Sequence, residues 1–296
     1  MTLRAALLTI CICIMFGGNT VAIKLALTGL GPYTAAGLRF ALAALVIFFW
    51  AKYKNISLRL TKKQLKQVSI LGAIFVCQLS CFYQGLARTT ASHGVLIANV
   101  LPFFILILAH FFIPGDRINL KKAIGITLGF VGILFLLLDD QNLSADLKKG
   151  DMIVLCAVCF WSANAVFVKR VISDFHPVQI TIFPMSIAIP FFFVAGVFWD
   201  SKMVTAVNGT VLAALFYQSV ISAAIGFIAW NSLLQRFGAT ALHSFIFIMP
   251  VAGVIFSYLI LGEPVTPYLA ASMSFIAAGV IVVNFKKKNG HRLPVS

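Results

Sequence analysis

Two stretches carry side chains able to do chemistry in an otherwise apolar chain: Phe16-Gly17-Gly18-Asn19-Thr20-Val21-Ala22-Ile23-Lys24 and Trp161-Ser162-Ala163-Asn164-Ala165-Val166-Phe167-Val168-Lys169. They match at an offset of 145 residues, which also superposes Cys11 on Cys156 and Pro32 on Pro177. Each places an amide and then an amine on the last turns of an apolar helix. An amide both donates and accepts hydrogen bonds and an ammonium adds charge, so the chemistry offered is recognition of a polar solute. In a bilayer such groups face the bundle interior or a water-filled cavity, and the two helices are expected to be walls of one pathway.

The elements that must hold these groups are membrane spans. Of 296 residues, 61% are hydrophobic and only 10% are charged, with a mean hydropathy of +1.01, which excludes a soluble globule with a polar shell. A helix needs about 20 apolar residues to cross a hydrocarbon core of about 30 Å. The sequence predicts an all-α integral membrane protein with ten transmembrane helices, at about 3–24, 33–51, 67–86, 92–113, 122–138, 151–172, 177–198, 210–233, 239–261 and 266–285. The first is too long, and too poor in small residues at a cleavage site, to read as a signal peptide.

The formal charge of +15 is not spread evenly. With alternating loops, the basic clusters Lys52 to Lys66, Arg117 to Lys122, Lys169-Arg170 and Lys286 to Arg292 fall on the face of the N-terminus. The positive-inside rule then places both termini in the cytoplasm, of a plasma (bacterial inner) membrane. The charge is read as topological and not as a nucleic-acid surface. All six cysteines lie in predicted spans and read as small packing residues, not as disulfide or metal ligands.

The second half repeats the first beyond the opening motif. Arg88, Ala91 and Pro102 align with Arg236, Ala239 and Pro250, and Asp116 and Gly132 with Glu263 and Gly279. Residues 1–140 and 150–288 are read as two domains of five spans each. An odd number of spans requires the copies to have opposite orientations. Such a five-plus-five inverted repeat is the mark of secondary transporters, whose substrate site lies near the midplane between halves.

At this point the chain resembles a known family. Phe16-Gly17-Gly18-Asn19 through Lys24, Pro32, Arg39-Phe40, and Leu101-Pro102 through Gly132 are similar to the EamA family of the drug/metabolite transporter superfamily, and the second repeat to its partner domain. The resemblance covers nearly the whole chain. It departs at Phe16, where the family often has Trp, and at Pro184, where the second repeat often has a basic residue. It implies that helices 1, 3, 4, 6, 8 and 9 surround a central cavity and that the activity is export or exchange of amino acids and related small metabolites. On those helices the candidate substrate-binding residues are Asn19, Gln78, Tyr83, His93, Asn99, Trp161, Asn164, Tyr217, Gln218, Trp230, Asn231 and His243. Aromatic faces among them suit apolar bodies and cations, while the amides suit carboxylate and amine.

Other residues have narrower expected roles. Lys24 and Lys169, one near each surface, are candidates for gating or steering anionic solutes. Pro102 and Pro250 each remove a backbone hydrogen bond, freeing the carbonyls of Ala98 and Ile246 at helix kinks. Arg39 needs a buried partner, and Glu263 is the candidate. Gly125, Gly129 and Gly132 form a small-residue stripe for packing within the chain. All eight acids are read as lying in loops or at helix ends, which predicts facilitated transport or exchange and not a carboxylate proton relay. No cofactor or metal is called for, the partners are a small-molecule substrate and the lipid bilayer, and a monomer is expected. Outside transport, an intramembrane enzyme would need a nucleophile with its base or a motif such as His-Glu-x-x-His, and the sequence has neither. A non-transporting structural or receptor-like protein would lack the mirrored polarity. A broad-specificity drug exporter is the alternative within transport.

Overall fold

A computed structural model describes residues 2–113, 115, 117–139, 144–237, 242 and 245–284. They form ten apolar helices: α1 Leu3–Leu27, α2 Pro32–Tyr53, α3 Lys62–Arg88, α4 Ala91–Phe112, α5 Leu120–Leu138, α6 Ala145–Asp174, α7 Pro177–Trp199, α8 Gly209–Leu234, α9 Ile248–Leu261 and α10 Pro267–Asn284. Nine are long and apolar enough to cross a membrane, and α9 is shorter over its described residues. The protein is thus a multi-pass, all-helical membrane protein.

Two helices begin earlier than apolarity predicts. α3 starts at Lys62 because Thr61 and Gln64 close a reciprocal capping box (2.8 and 3.2 Å), which stabilises a basic first turn ahead of the apolar run. α6 starts at Ala145, so Asp151 lies two turns inside a helix that hydropathy begins at that residue.

The helices pack in antiparallel pairs: α5 on α10, α3 on α6 and α2 on α7. Glycines set the closest approaches. A Cβ on Gly279 would stand 2.7 Å from the Gly125 carbonyl, and one on Gly132 3.0 Å from the Ser272 carbonyl. The glycine stripe of α5 is therefore used within the chain.

Two of the helices expected around the cavity are interrupted at mid-depth. α1 breaks between Gly17 and Asn19. α4 breaks at Asn99-Val100 and resumes at Leu101, so Pro102 sits in the first turn of its second half, where a missing N–H costs least. α9 has turns over 245–247 before its helix starts at Ile248, giving Pro250 the same place. In α8 the turns widen to π-helix over Tyr217–Gly226. The break of α1 meets the start of α9, and α9 meets α4: a Cβ on Gly17 would lie 2.7 Å from the Met249 carbonyl, and one on Gly253 2.6 Å from Val95.

On the two sides of this crossing the packing differs. Toward the face opposite the N-terminus, Ala91–Ala98 of α4 packs against α1, α6 and α9 together, and Ala91 to Ile97 are all buried. Toward the N-terminal face the same helices divide among the described residues, Leu101–Phe112 packing on α6 while Leu3–Gly17 packs on α9 and α8. There only Phe103 and Ala109 of the second half of α4 are buried.

Candidate functional site

The two motif amides come out alike. Asn19, first residue after the α1 break, has a buried Oδ1 with no hydrogen-bond partner. Asn164, its equivalent on α6, is half-buried and its side chain makes no hydrogen bond among the described residues. A buried amide left unbonded costs about 1–3 kcal/mol, so neither side chain serves as a tie between helices in this state.

Around them the aromatics repeat. Trp161 meets Phe82 of α3 edge-on at 5.8 Å, and Phe16 meets Trp230 of α8 edge-on at 6.1 Å, with Phe227 beside it at 5.7 Å. Phe16 and Trp161 are equivalent at the first offset, and Phe82 and Trp230 at the second, 148 residues.

Several candidate residues act as ties. The Asn99 amide donates to the Val95 carbonyl of its own helix (2.7 Å), closing the end of the first half of α4. Tyr217 donates to the Met15 carbonyl at the α1 break (2.8 Å). Asn231 donates to Thr181 of α7 (3.1 Å). Gln78 is buried with its Oε1 unpartnered. Tyr83 is wholly buried, donating to Gln218 Oε1 at 2.7 Å and accepting from Arg39 at 3.4 Å. The kink carbonyls of Ala98 and Ile246 belong to half-buried and buried residues beside the helix breaks. His243 lies outside the described residues.

Lys24 donates to the carbonyls of Leu86 and Thr89 (2.9 and 2.7 Å) at the C-terminal end of α3, where a cation meets the negative end of the helix dipole. Lys169 is exposed at the N-terminal face.

Two expectations are corrected. Glu263 does not reach Arg39: its carboxylate accepts from the Ala91 and Ser92 N–H groups and the Ser92 hydroxyl (2.7, 2.8 and 2.6 Å), capping the N-terminus of α4. And the acids are not all peripheral. Asp151 is fully buried, accepts from the Thr89 hydroxyl, and lies 2.8 Å from His93 Nδ1. Reading the span from its first apolar residue concealed this pair, whereas Asp200, just past the end of α7, caps the first turn of α2 through Tyr33 and Thr34. A polar residue one or two turns from a span end is the available signal, and it needs a partner in space to be recognised.

Two helices and the connection between α9 and α10 thus converge on the turn between α3 and α4. Lys24 of α1 holds it by carbonyls, Asp151 of α6 by Thr89 and His93, and Glu263, between α9 and α10, by the α4 amides. By repeat offset, Asp151 and His93 correspond to Ala6 and Ala241, so this pair has no counterpart in the other half. Two cavities of about 540 and 580 Å³ open elsewhere, the first beside Trp50, His176 and Arg236, the second beside His110, Phe112 and Arg170. None of the predicted site residues lines either.

Comparison with known proteins agrees with this architecture. The profile of the EamA-like transporter family matches twice, over residues 3–138 and 148–285. The chain belongs to this family. Among its relatives are a protein of Escherichia coli K12 named "Probable amino-acid metabolite efflux pump", 26% identical over 95% of this chain and 93% of that one, and its Salmonella typhimurium namesake, 24% identical over 95% of each. The Bacillus subtilis protein "Uncharacterized transporter YyaM" is 25% identical over 86% of this chain and 84% of its own. A solved crystal structure shares the fold at a TM-score of 0.71 and 16% identity, over 95% of this chain and 96% of that one. This EamA-like chain is accordingly a membrane transporter.

Proposed function

We propose that the protein is a secondary transporter that exports or exchanges amino acids or related small metabolites by alternating access. The observation that carries this is the pair of equivalent amides, Asn19 and Asn164, on two helices of the bundle and without hydrogen-bond partners among the described residues. A transporter keeps such groups for its substrate, and inverted halves use them in turn from opposite sides. The family membership and the names of the two enterobacterial relatives support the substrate class.

With both termini in the cytoplasm of a plasma membrane, the N-terminal face is the inner one. The closed packing around Ala91–Ala98 and the divided packing around Leu101–Phe112 then favour an inward-facing state. Lys24, Asp151 and Glu263 hold the outer mouth shut, and residues 1–140 and 150–288 act as the two moving units.

Uptake and efflux of radiolabelled amino acids in proteoliposomes, set against a cationic dye, test the reading. Counterflow of an amino acid with no movement of dye is the expected result. Dye transport alone would replace it with a drug exporter, and movement of neither with a non-transporting role.

A further inference from the structure

Arg39 is a buried cation without an ionic partner among the described residues. It stands about 10 Å along α2 from its start at Pro32, at 1.5 Å per residue, and is 4% exposed. Its only described hydrogen bond is the long one to Tyr83, and its Nε is buried without a partner. The guanidinium also lies 5.0 Å from the Phe40 ring centre, which softens a buried positive charge without neutralising it. No ion pair reaches it among the described residues. The carboxylates on its side of the molecule are committed elsewhere: Asp200 to the first turn of α2, Glu263 to that of α4, and Asp151 to His93 and Thr89.

The other end of the same chain of bonds is unfinished too. Gln218 of α8 is fully buried and accepts from Tyr83, leaving its Nε2 unbonded. Both unfinished groups are N–H donors, one of them cationic. An isolated buried charge is retained in a fold only where something pairs with it. The partner these two donors fit is an anion with two acceptor oxygens, since a guanidinium binds carboxylate in a planar, two-point geometry. Gln218 also sits in the π-helical segment of α8, a local geometry often found at functional sites.

We propose that Arg39 and Gln218 form the site for the carboxylate of the transported molecule, with Tyr83 as its cover. Tyr83 belongs to the first half of the chain and Gln218 to the second. Separation of the halves breaks the 2.7 Å bond between them and presents both donors to the solute. At Arg39's depth this happens when the mouth opposite the N-terminal face opens. Pro184 occupies the equivalent of Arg39 in the second repeat, so the carboxylate site is single and the path is asymmetric in charge. This site rests on the transport reading, and within it selects solutes that carry a carboxylate.

The test compares four probes on purified full-length protein in detergent: phenylalanine, 3-phenylpropionate, phenylalaninamide and phenethylamine. Binding is read by intrinsic tryptophan fluorescence. The two carboxylates should bind about tenfold or more tighter than the other two, and Arg39→Gln should abolish that preference without weakening the amide and amine. Gln218→Glu supplies Arg39 with a permanent internal carboxylate and should abolish the preference in the same way, which keeps the test open should Arg39→Gln fail to fold. Equal binding of all four probes by the wild type, or a carboxylate preference that survives Arg39→Gln or Gln218→Glu, overturns the site. If 3-phenylpropionate binds as described while proteoliposomes move no amino acid, the site stands and the amino-acid reading fails.

Discussion

Trp161 and Phe82 meet edge-on at 5.8 Å, and the residues equivalent to them in the other half, Phe16 and Trp230, meet edge-on at 6.1 Å. The repeat is therefore preserved at the level of a side-chain contact, even where Trp and Phe have exchanged places. An edge-to-face pair contributes about 0.5–1.5 kcal/mol beyond the area it buries. Double-mutant cycles to Ala for each pair, read from thermal unfolding in detergent, should give coupling energies of that size and of similar magnitude in the two halves. Purely additive losses would show the geometry to be incidental to packing.

The His93–Asp151 pair invites a different measurement. Removing one member of a buried pair strands the other and costs about 3–5 kcal/mol, whereas replacing both with apolar residues is often near neutral. Asp151→Leu alone should therefore destabilise the protein strongly, and His93→Leu with Asp151→Leu should recover most of the loss. The same double variant should also raise labelling of a cysteine placed at Arg88, because the turn between α3 and α4 loses one of its three holds. A double variant no more stable than the single one would mean that Thr89 and the surrounding packing, and not the pair, determine the cost.

Glycine positions separate packing from tolerance. A Cβ on Gly279 would press on the Gly125 carbonyl at 2.7 Å, whereas one on Gly209 meets nothing within 4 Å. Overpacking of this kind costs about 1–3 kcal/mol. Gly279→Ala should lower the midpoint of thermal unfolding by several degrees, and Gly209→Ala should change it little. An equal response from both would place the α5–α10 contact outside the unfolding step.

Much of this was legible before the structure. Apolar runs gave the ten helices, and the offset between Asn19 and Asn164 gave the duplication, because hydrophobic length and self-similarity are local in sequence. The polar partnerships were not legible. Arg39 looked toward Glu263 by side of the membrane alone, but the unbonded N–H groups at the start of α4 are a nearer sink for that carboxylate. Asp151 looked peripheral because hydropathy marks where apolarity begins, not where the helix begins. Gln218 and Tyr83 could be placed on neighbouring helices, but their 2.7 Å bond depends on rotation about both axes, which no period fixes within a helix as apolar all round as these.

Topology follows from the basic clusters and is checked from outside the cell. Single cysteines introduced at Lys62, where α3 starts, and at Asn142, in the segment joining the halves, are treated with a membrane-impermeant maleimide. The cysteine at Asn142 should react in intact cells and that at Lys62 only after lysis. The reverse pattern would invert the molecule and, with it, the assignment of the open face.

The amides at the two motifs give the sharpest test of alternating access. Asn19 follows the mid-depth break of α1, and Asn164 lies ten residues before the end of α6, hence about 15 Å inside at 1.5 Å per residue. In inverted halves the outward-open state is expected to present Asn19 and the inward-open state Asn164. Each side chain is also without a hydrogen bond among the described residues, so neither ties its helix to a described neighbour in this state. Val has nearly the bulk of Asn but cannot hydrogen-bond. Asn19→Val should weaken apparent affinity from the outer side by about three- to tenfold, the worth of one hydrogen bond, with little effect from the inner side. Asn164→Val should do the opposite. Both are measured in vesicles of known sidedness with expression matched. Equal losses from both faces, or none from either, would mean that the two amides are not used in turn.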